Sequence, residues 1–215
     1  MKPGMKYIVS MLLLASLSLS YPAFSKTTDE YAFKVFLDDK EIGQHTFEVR
    51  KQGEEIMVKS EAAFNVKFLF FNAYTYKHSN TELWQEGCLR LIDAQTDDNG
   101  DELFVRGKLD DASLSLETPA GVNEIDGCIR SFAYWDLDLL RDKQLLNPQT
   151  GELLPVTVEF VGESDIEYRG TTVPALQYII RGEDLAIELW YSKERDWLAL
   201  ESTLENGSKL SYRIP

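Results

Sequence analysis

The chain has 215 residues, of which 36 are acidic and 22 are basic, and its net charge at pH 7 is −14. A surface this acidic is repelled by nucleic-acid phosphates and by anionic lipid headgroups, which disfavours a nucleic-acid-binding protein. Hydrophobic residues make up 44% of the chain, enough for one domain with a sizeable core. No segment after residue 25 has the uninterrupted apolar length of a transmembrane helix.

The first 25 residues have the features of a secretory signal peptide. Two lysines precede a short apolar run, and the small residues Ala23 and Ser25 occupy the −3 and −1 positions of a cleavage site before Lys26. We therefore expect cleavage between Ser25 and Lys26, which leaves residues 26–215 as a single β-rich domain. The lysine-based start and the short apolar run favour the bacterial periplasm as its location.

The remainder of the sequence alternates apolar and polar residues in short runs that are separated by turn residues. Phe33 and Val35, for example, alternate with Ala32, Lys34 and Phe36, and the tight-turn sequence Asp97–Gly100 separates two later runs. Pro119 and Gly121 mark a loop. Roughly a dozen such runs predict a mainly β fold, an antiparallel meander that curls into a barrel or half-barrel.

One segment departs from the strand pattern and predicts a short helix near 136–146. Asp136 has the side chain of a helix cap, and Leu137, Leu140 and Leu145 recur at a spacing that would face the sheet. An Asn-Pro pair then ends the helix.

The stretch YTYKHSNTELW at 74–84 predicts a ligand site. On a strand, alternate residues share a face, which here gives the candidate residues Tyr74, Tyr76, His78, Asn80, Glu82 and Trp84. Phe64, Val66, Phe68 and Phe70 upstream share this parity, although a bend or bulge is expected at 70–72. The pattern predicts one long ribbon from an apolar floor to a polar and aromatic mouth, as in many small-molecule sites.

Three other interpretations of this stretch stay open. A catalytic His78–Glu82 pair would be about 13 Å apart on a strand, which is too far for a direct hydrogen bond. A metal site would need a third ligand such as His45. A cross-strand hydrogen-bond network would make the polar groups structural. The sequence therefore assigns no catalytic residue, no metal and no cofactor.

The two cysteines, Cys88 and Cys128, are candidates for a disulfide, because an even number of cysteines in an exported chain favours pairing. Two buried free thiols are the alternative.

With these residues identified, the chain resembles a family of uncharacterised exported bacterial proteins, a domain-of-unknown-function family. The resemblance covers most of 31–214 and rests on Tyr-x-His-x-Asn-x-Glu-x-Trp in YTYKHSNTELW and on Ser-Phe-Ala-Tyr-Trp in CIRSFAYWD. Asp136-Leu137 departs from the Asn-Pro expected there. The second half is similar to periplasmic β-meander proteins of unknown function, which look like half-barrels that carry lipids or lipoproteins. The resemblance implies no enzymatic activity.

These observations leave three classes of function. The first is a periplasmic protein that binds or carries an apolar or amphipathic, lipid-like ligand without catalysis. The second is a hydrolase or isomerase that acts on a lipid-like substrate with His78 as general base. The third is a structural or assembly partner in an envelope complex, for which the sequence names no protein partner.

Overall fold

The structure is a computed structural model that describes residues 26–68, 71–204 and 206–215. The predicted signal peptide and its cleavage site precede these residues. Within the described residues, no helix has the length and apolar character that crossing a membrane requires.

The fold is mainly β and is dominated by one antiparallel sheet of 13 strands. Its N-terminal strands are β1 (Lys26–Leu37), β2 (Lys40–Gln52), β3 (Glu55–Phe68), β4 (Phe71–Gln85), β5 (Cys88–Asp98), β6 (Asp101–Asp110), β7 (Ser113–Thr118) and β8 (Gly121–Asp126). Its C-terminal strands are β11 (Thr157–Tyr168), β12 (Thr171–Arg181), β13 (Ala186–Tyr191), β14 (Trp197–Thr203) and β15 (Lys209–Arg213). A separate hairpin consists of β9 (Gln144–Leu146) and β10 (Leu153–Pro155).

Strand β1 joins the two halves of the sheet, because it pairs with β2 on one side and with β15 on the other. The strand order is β11-β12-β13-β14-β15-β1-β2-β3-β4-β5-β6-β7-β8. Within each half, consecutive strands are connected by short turns and pair with each other. The predicted turn at Asp97–Gly100 is confirmed, and Asn99 and Gly100 there adopt positive φ angles of 55° and 101°.

Alternation explains why these residues form strands. Leu114 and Leu116 of β7 are fully buried, whereas the serines between and beside them are half-buried. In β13, Ile187, Leu189 and Tyr191 are buried at every second position. A pattern of this kind lets an antiparallel sheet bury one face and expose the other.

The antiparallel sheet is confirmed, but it is not closed into a barrel. β8 and β11 lie at its two edges, and each pairs with one neighbour in the sheet. β8 is short, and its Glu124 and Asp126 are exposed. β11 carries exposed Phe160 and Val161 beside a register shift at Gly162. Its exposed charged residues are all acidic: Glu159, Glu163, Asp165 and Glu167.

The predicted helix near 136–146 is wrong. A single 3₁₀ turn spans Leu137–Arg141, and the next residues form β9. Asp136 does cap the turn, since its carboxylate accepts a hydrogen bond from the backbone N–H of Asp138. The helix stops early because the backbone N–H of Leu146 donates to the carbonyl of Arg130, 2.8 Å away, which requires an extended chain.

Two further predictions are corrected. Residues 64–84 do not form one ribbon, because β3 ends at Phe68, β4 begins at Phe71, and the two strands pair with each other. The loop predicted at Pro119 and Gly121 is only the turn into β8, whose Val122 and Ile125 are three positions apart and so lack the alternation that signals a strand.

The segment 127–156, here called the crossing segment, connects the two halves and fills the interior of the curved sheet. Leu139 and Leu145 belong to one hydrophobic cluster, together with Phe33 and Trp197. Other residues of the crossing segment, among them Ala133, Trp135 and Leu146, belong to a second cluster that includes Trp84. The interior is therefore largely occupied by the chain itself.

Covalent and ionic contacts hold the start of the crossing segment. Cys88 and Cys128 form a disulfide, as predicted, with their Cα atoms 5.1 Å apart. The Arg130 side chain, 11% exposed, forms salt bridges with Asp136 and with Asp142, the latter at 2.9 Å. It also donates to the carbonyl of Gly87 at 2.7 Å. These contacts fix the path by which the crossing segment enters the interior.

Candidate functional site

The candidate residues of β4 lie on the inner face of the sheet, in register with buried residues of the neighbouring strands. His78 is opposite Ala62 of β3 and Thr96 of β5, and Asn80 is opposite Ser60 of β3. His78, Asn80, Glu82 and Trp84 are buried, whereas Tyr74 and Tyr76 are half-buried.

Asn80, Glu82 and Trp84 form a hydrogen-bonded group along β4. The Asn80 amide Nδ2 donates to Glu82 Oε1, and the Trp84 indole Nε1 donates to Glu82 Oε2, both at 2.9 Å. The amide oxygen of the same side chain, Asn80 Oδ1, is buried and has no hydrogen-bond partner. A buried acceptor of this kind is an exception that calls for an explanation, since buried polar groups are normally paired.

Both histidines are bonded to hydroxyl groups. His78 Nδ1 lies 2.8 Å from Thr96 Oγ1, and His45 Nε2 lies 2.7 Å from Ser60 Oγ. Burial lowers the pKa of His78 to about 4. Burial lowers the pKa of His45 to about 3, and the neighbouring His78 makes a smaller contribution in the same direction. Both rings are therefore neutral at pH 7.

Burial also acts on Glu82, whose pKa is raised. Hydrogen bonds from Asn80, Ser131 and Trp84 to the carboxylate act in the opposite direction. These donors are uncharged, so they stabilise the carboxylate without neutralising it.

A cavity of about 180 Å³ lies between this face and the crossing segment. Its walls come from β2, β3, β4 and β15, while Ser131–Trp135 and Asn147–Gln149 cover it. The Tyr76 hydroxyl donates to Gln149 Oε1 at 3.2 Å and so ties β4 to this cover. The cavity is smaller than the roughly 300–1,000 Å³ of ordinary small-molecule sites, so it suits a small group.

A larger depression of about 780 Å³ lies mainly along the outer face of β2–β6. Most of its lining residues are polar, and several of them, such as Glu61, Lys77 and Arg106, are exposed. The interior cavity combines enclosure with convergent buried polar groups, and we therefore place the candidate site there.

The expected arrangement of an apolar floor and a polar mouth is reversed. The polar groups of β4 lie in the buried middle of the inner face, and half-buried apolar side chains lie nearer one end of it. Phe64 stacks on Tyr76 with ring centroids 5.2 Å apart, and Val66 pairs across with Tyr74. The cause is the β3–β4 hairpin, which sets these residues beside the candidate strand instead of ahead of it.

The other two chemical interpretations lack the contacts that they require. His78 bonds to Thr96, and Glu82 bonds to Asn80 and Trp84, so the two do not form an acid–base pair. Within the described part of the chain, no group of three or more His, Cys, Asp or Glu residues could hold a metal ion.

Sequence reasoning missed several residues of the site. Ser60 could have been found, because it shares the buried parity of Val58 and Ala62 in β3. Ser131 was not among the candidate residues, yet it is buried and lines the cavity. Gln149 carries no local signal, since its partner Tyr76 is 73 residues away in sequence.

The lowered histidine pKa values predict a loss of stability in acid. The unfolded chain, with an ordinary histidine pKa of 6.5, binds protons first. The contribution of the histidines to stability should be constant above that pH and then fall by up to about 1.4 kcal/mol per pH unit for each histidine as the pH drops toward the folded pKa. Urea unfolding of the wild type and of His78→Gln between pH 7.5 and 5 measures this.

We expect the His78→Gln variant to lose less stability over this range than the wild type. Glu82, whose pKa is raised, acts with the opposite sign, but it is present in both proteins and cancels from the difference. Equal slopes for the two proteins would show that His78 takes up its proton as readily in the folded chain as in the unfolded one.

The sequence and the fold both have relatives whose function is unknown. Residues 33–214 match the model of DUF6134, described as a domain of unknown function. No curated protein matches the sequence. Among solved structures, a β-barrel-like protein of the domain of unknown function DUF1849 from Brucella abortus is similar, with a TM-score of 0.65.

That similarity has 9% sequence identity and covers 86% of this chain and 94% of the other, so it concerns the fold alone. The expectation of a family of unknown function is confirmed. The resemblance to lipid-carrying half-barrels and the periplasmic location stay predictions.

Proposed function

Because the chain belongs to the DUF6134 family, whose function is unknown, we propose a role from the site itself. The protein is a non-enzymatic, exported binding protein or carrier for an amphipathic ligand. The polar end of the ligand enters the interior cavity, and its apolar part lies along the half-buried inner face.

The unpaired Asn80 Oδ1 is the observation that carries this proposal. Asn80 is 8% exposed and lines the cavity, and the folded chain leaves this acceptor without a donor. Leaving such a group unpaired costs about 1–3 kcal/mol. A ligand N–H or O–H that donates to Asn80 Oδ1 would recover this free energy, and binding of a polar group in the cavity is therefore favourable.

The apolar part of the ligand has a surface beside the cavity. Phe64, Val66, Leu210 and Ile214 are partly buried at the margin of the first hydrophobic cluster. Phe64 also contacts Tyr212, a cavity residue, with ring centroids 6.4 Å apart. A cavity of about 180 Å³ holds a head group but not a long acyl chain, so the chain would extend over this margin.

Native mass spectrometry of protein purified from a bacterial periplasm without detergent tests the proposal. We expect an additional mass in the native spectrum that disappears on denaturation, because the ligand is held without a covalent bond. Asn80→Ala should reduce the occupied fraction. Ser79→Ala is the matched control, since Ser79 is exposed on the other face of the same strand.

A native mass equal to the denatured mass in every preparation would contradict the proposal. An Asn80→Ala variant with unchanged occupancy and lowered thermal stability would instead favour a structural network. The hydrogen bonds among Asn80, Glu82 and Trp84 would then serve only to hold β4.

A further inference from the structure

We propose that the polar end of the ligand is a primary organic ammonium group, bound next to Glu82 and Asn80 within a ring of aromatic side chains. This inference rests on the proposed function and specifies the class of ligand.

The first argument is charge. The residues that line the cavity include the Glu82 carboxyl group and no lysine or arginine. Glu82 is 3% exposed and receives hydrogen bonds only from uncharged donors. Arg130, at the start of the crossing segment, is already paired with Asp136 and Asp142. Burial raises the pKa of Glu82 and so disfavours its charged form, and a cationic ligand beside it would favour the carboxylate and supply the missing countercharge.

The second argument is the aromatic lining. The faces of aromatic rings attract cations, and the attraction is strongest where water is excluded. The rings that line the cavity are those of Phe47, Tyr76, Phe132, Tyr134, Trp135 and Tyr212. Clusters of aromatic rings bind quaternary ammonium groups in other proteins, and in this cavity the Glu82 carboxyl group lies among the lining residues as well.

The third argument concerns the kind of ammonium group. Asn80 Oδ1 is an acceptor that needs a donor, and a primary ammonium carries three N–H donors. A quaternary ammonium carries none and would leave this oxygen unpaired. An anionic head group would meet Glu82 without a compensating cation, so carboxylate or phosphate ligands are disfavoured.

Isothermal titration with four probes of equal chain length tests the inference on the wild-type protein at pH 7. The probes are hexylammonium, hexan-1-ol, hexanoate and hexyltrimethylammonium. We expect hexylammonium to bind at least about tenfold more tightly than hexan-1-ol, because the ammonium group gains an ion contact with Glu82 and cation–π contacts that the hydroxyl group lacks. Hexyltrimethylammonium should bind more weakly than hexylammonium, and hexanoate should not bind.

The variant Glu82→Gln should abolish the preference for hexylammonium over hexan-1-ol, while Ser79→Ala should preserve it. If Glu82→Gln does not fold, the comparison of hexylammonium with hexyltrimethylammonium on the wild type still tests the acceptor at Asn80. Equal binding of these two cations would overturn the assignment of a primary ammonium.

Hexan-1-ol binding as tightly as hexylammonium would overturn the ammonium inference and leave the proposed binding function intact. Failure of all four probes to bind would also overturn the ammonium inference. The native mass spectrometry experiment alone would then decide the proposed binding function.

Discussion

Replacing Arg130 with methionine should lower the free energy of unfolding by about 3–5 kcal/mol. The change leaves the carboxylates of Asp136 and Asp142 in a partly buried position without their cation. Burial already raises the pKa of Asp142, and Arg130 is the largest opposing influence. Urea unfolding at pH 7 measures the loss.

Arg141→Met is the matched control. The Arg141 side chain is 80% exposed and pairs with Asp138 at 3.5 Å, so its loss should cost no more than about 0.5 kcal/mol. Adding Asp136→Asn and Asp142→Asn to Arg130→Met should restore part of the stability, since no charge is then left unpaired. If Arg130→Met were no less stable than Arg141→Met, the ionic anchor of the crossing segment would be irrelevant to folding.

Replacing both cysteines with serine should lower the free energy of unfolding by about 4 kcal/mol in the chain-entropy account of disulfides. The bond links Cys88 to Cys128 across a sequence separation of 40 residues, and its loss frees the unfolded chain over that loop. Guanidinium unfolding of the double variant at pH 7 tests this expectation.

The wild type under full reduction is the control, and it should lose as much stability as the double variant. Cys128 is two residues from Arg130, so combining the two sets of substitutions should give less than the sum of their separate effects. A double variant with wild-type stability would mean that other contacts alone constrain the crossing segment.

The sequence was informative wherever a local rule decides the outcome. Period-2 alternation located most of the strands, and Asn99-Gly100 located a tight turn because both residues tolerate positive φ. The same alternation placed His78, Asn80 and Glu82 on one face. The disulfide was predicted from the number of cysteines, because an even number in an exported chain favours pairing.

The remaining features depend on contacts between distant parts of the chain. The leucines near 140–146 have a helical spacing, but Leu146 pairs with the backbone at Arg130, and this long-range pairing overrides the local signal. The cover of the cavity has no periodicity, so Ser131 and Gln149 could not be placed over β4. The reversed polarity of the site follows from the β3–β4 hairpin, which parity along one strand cannot reveal.

The open edges of the sheet have a consequence for behaviour at high concentration. An unpaired strand is a template on which an identical molecule can add, and repeated addition produces fibrous aggregates. The exposed charged residues of both edge strands are acidic, at Glu124 and Asp126 on β8 and at four positions on β11, of which Glu163 is paired with Lys193. An edge of one molecule therefore repels either edge of the next.

The exposed apolar pair Phe160–Val161 lies where the β11 backbone departs from regular pairing at Gly162. The most hydrophobic part of that edge is therefore also its least regular part. We therefore expect charge and irregularity together to oppose polymerisation through these edges.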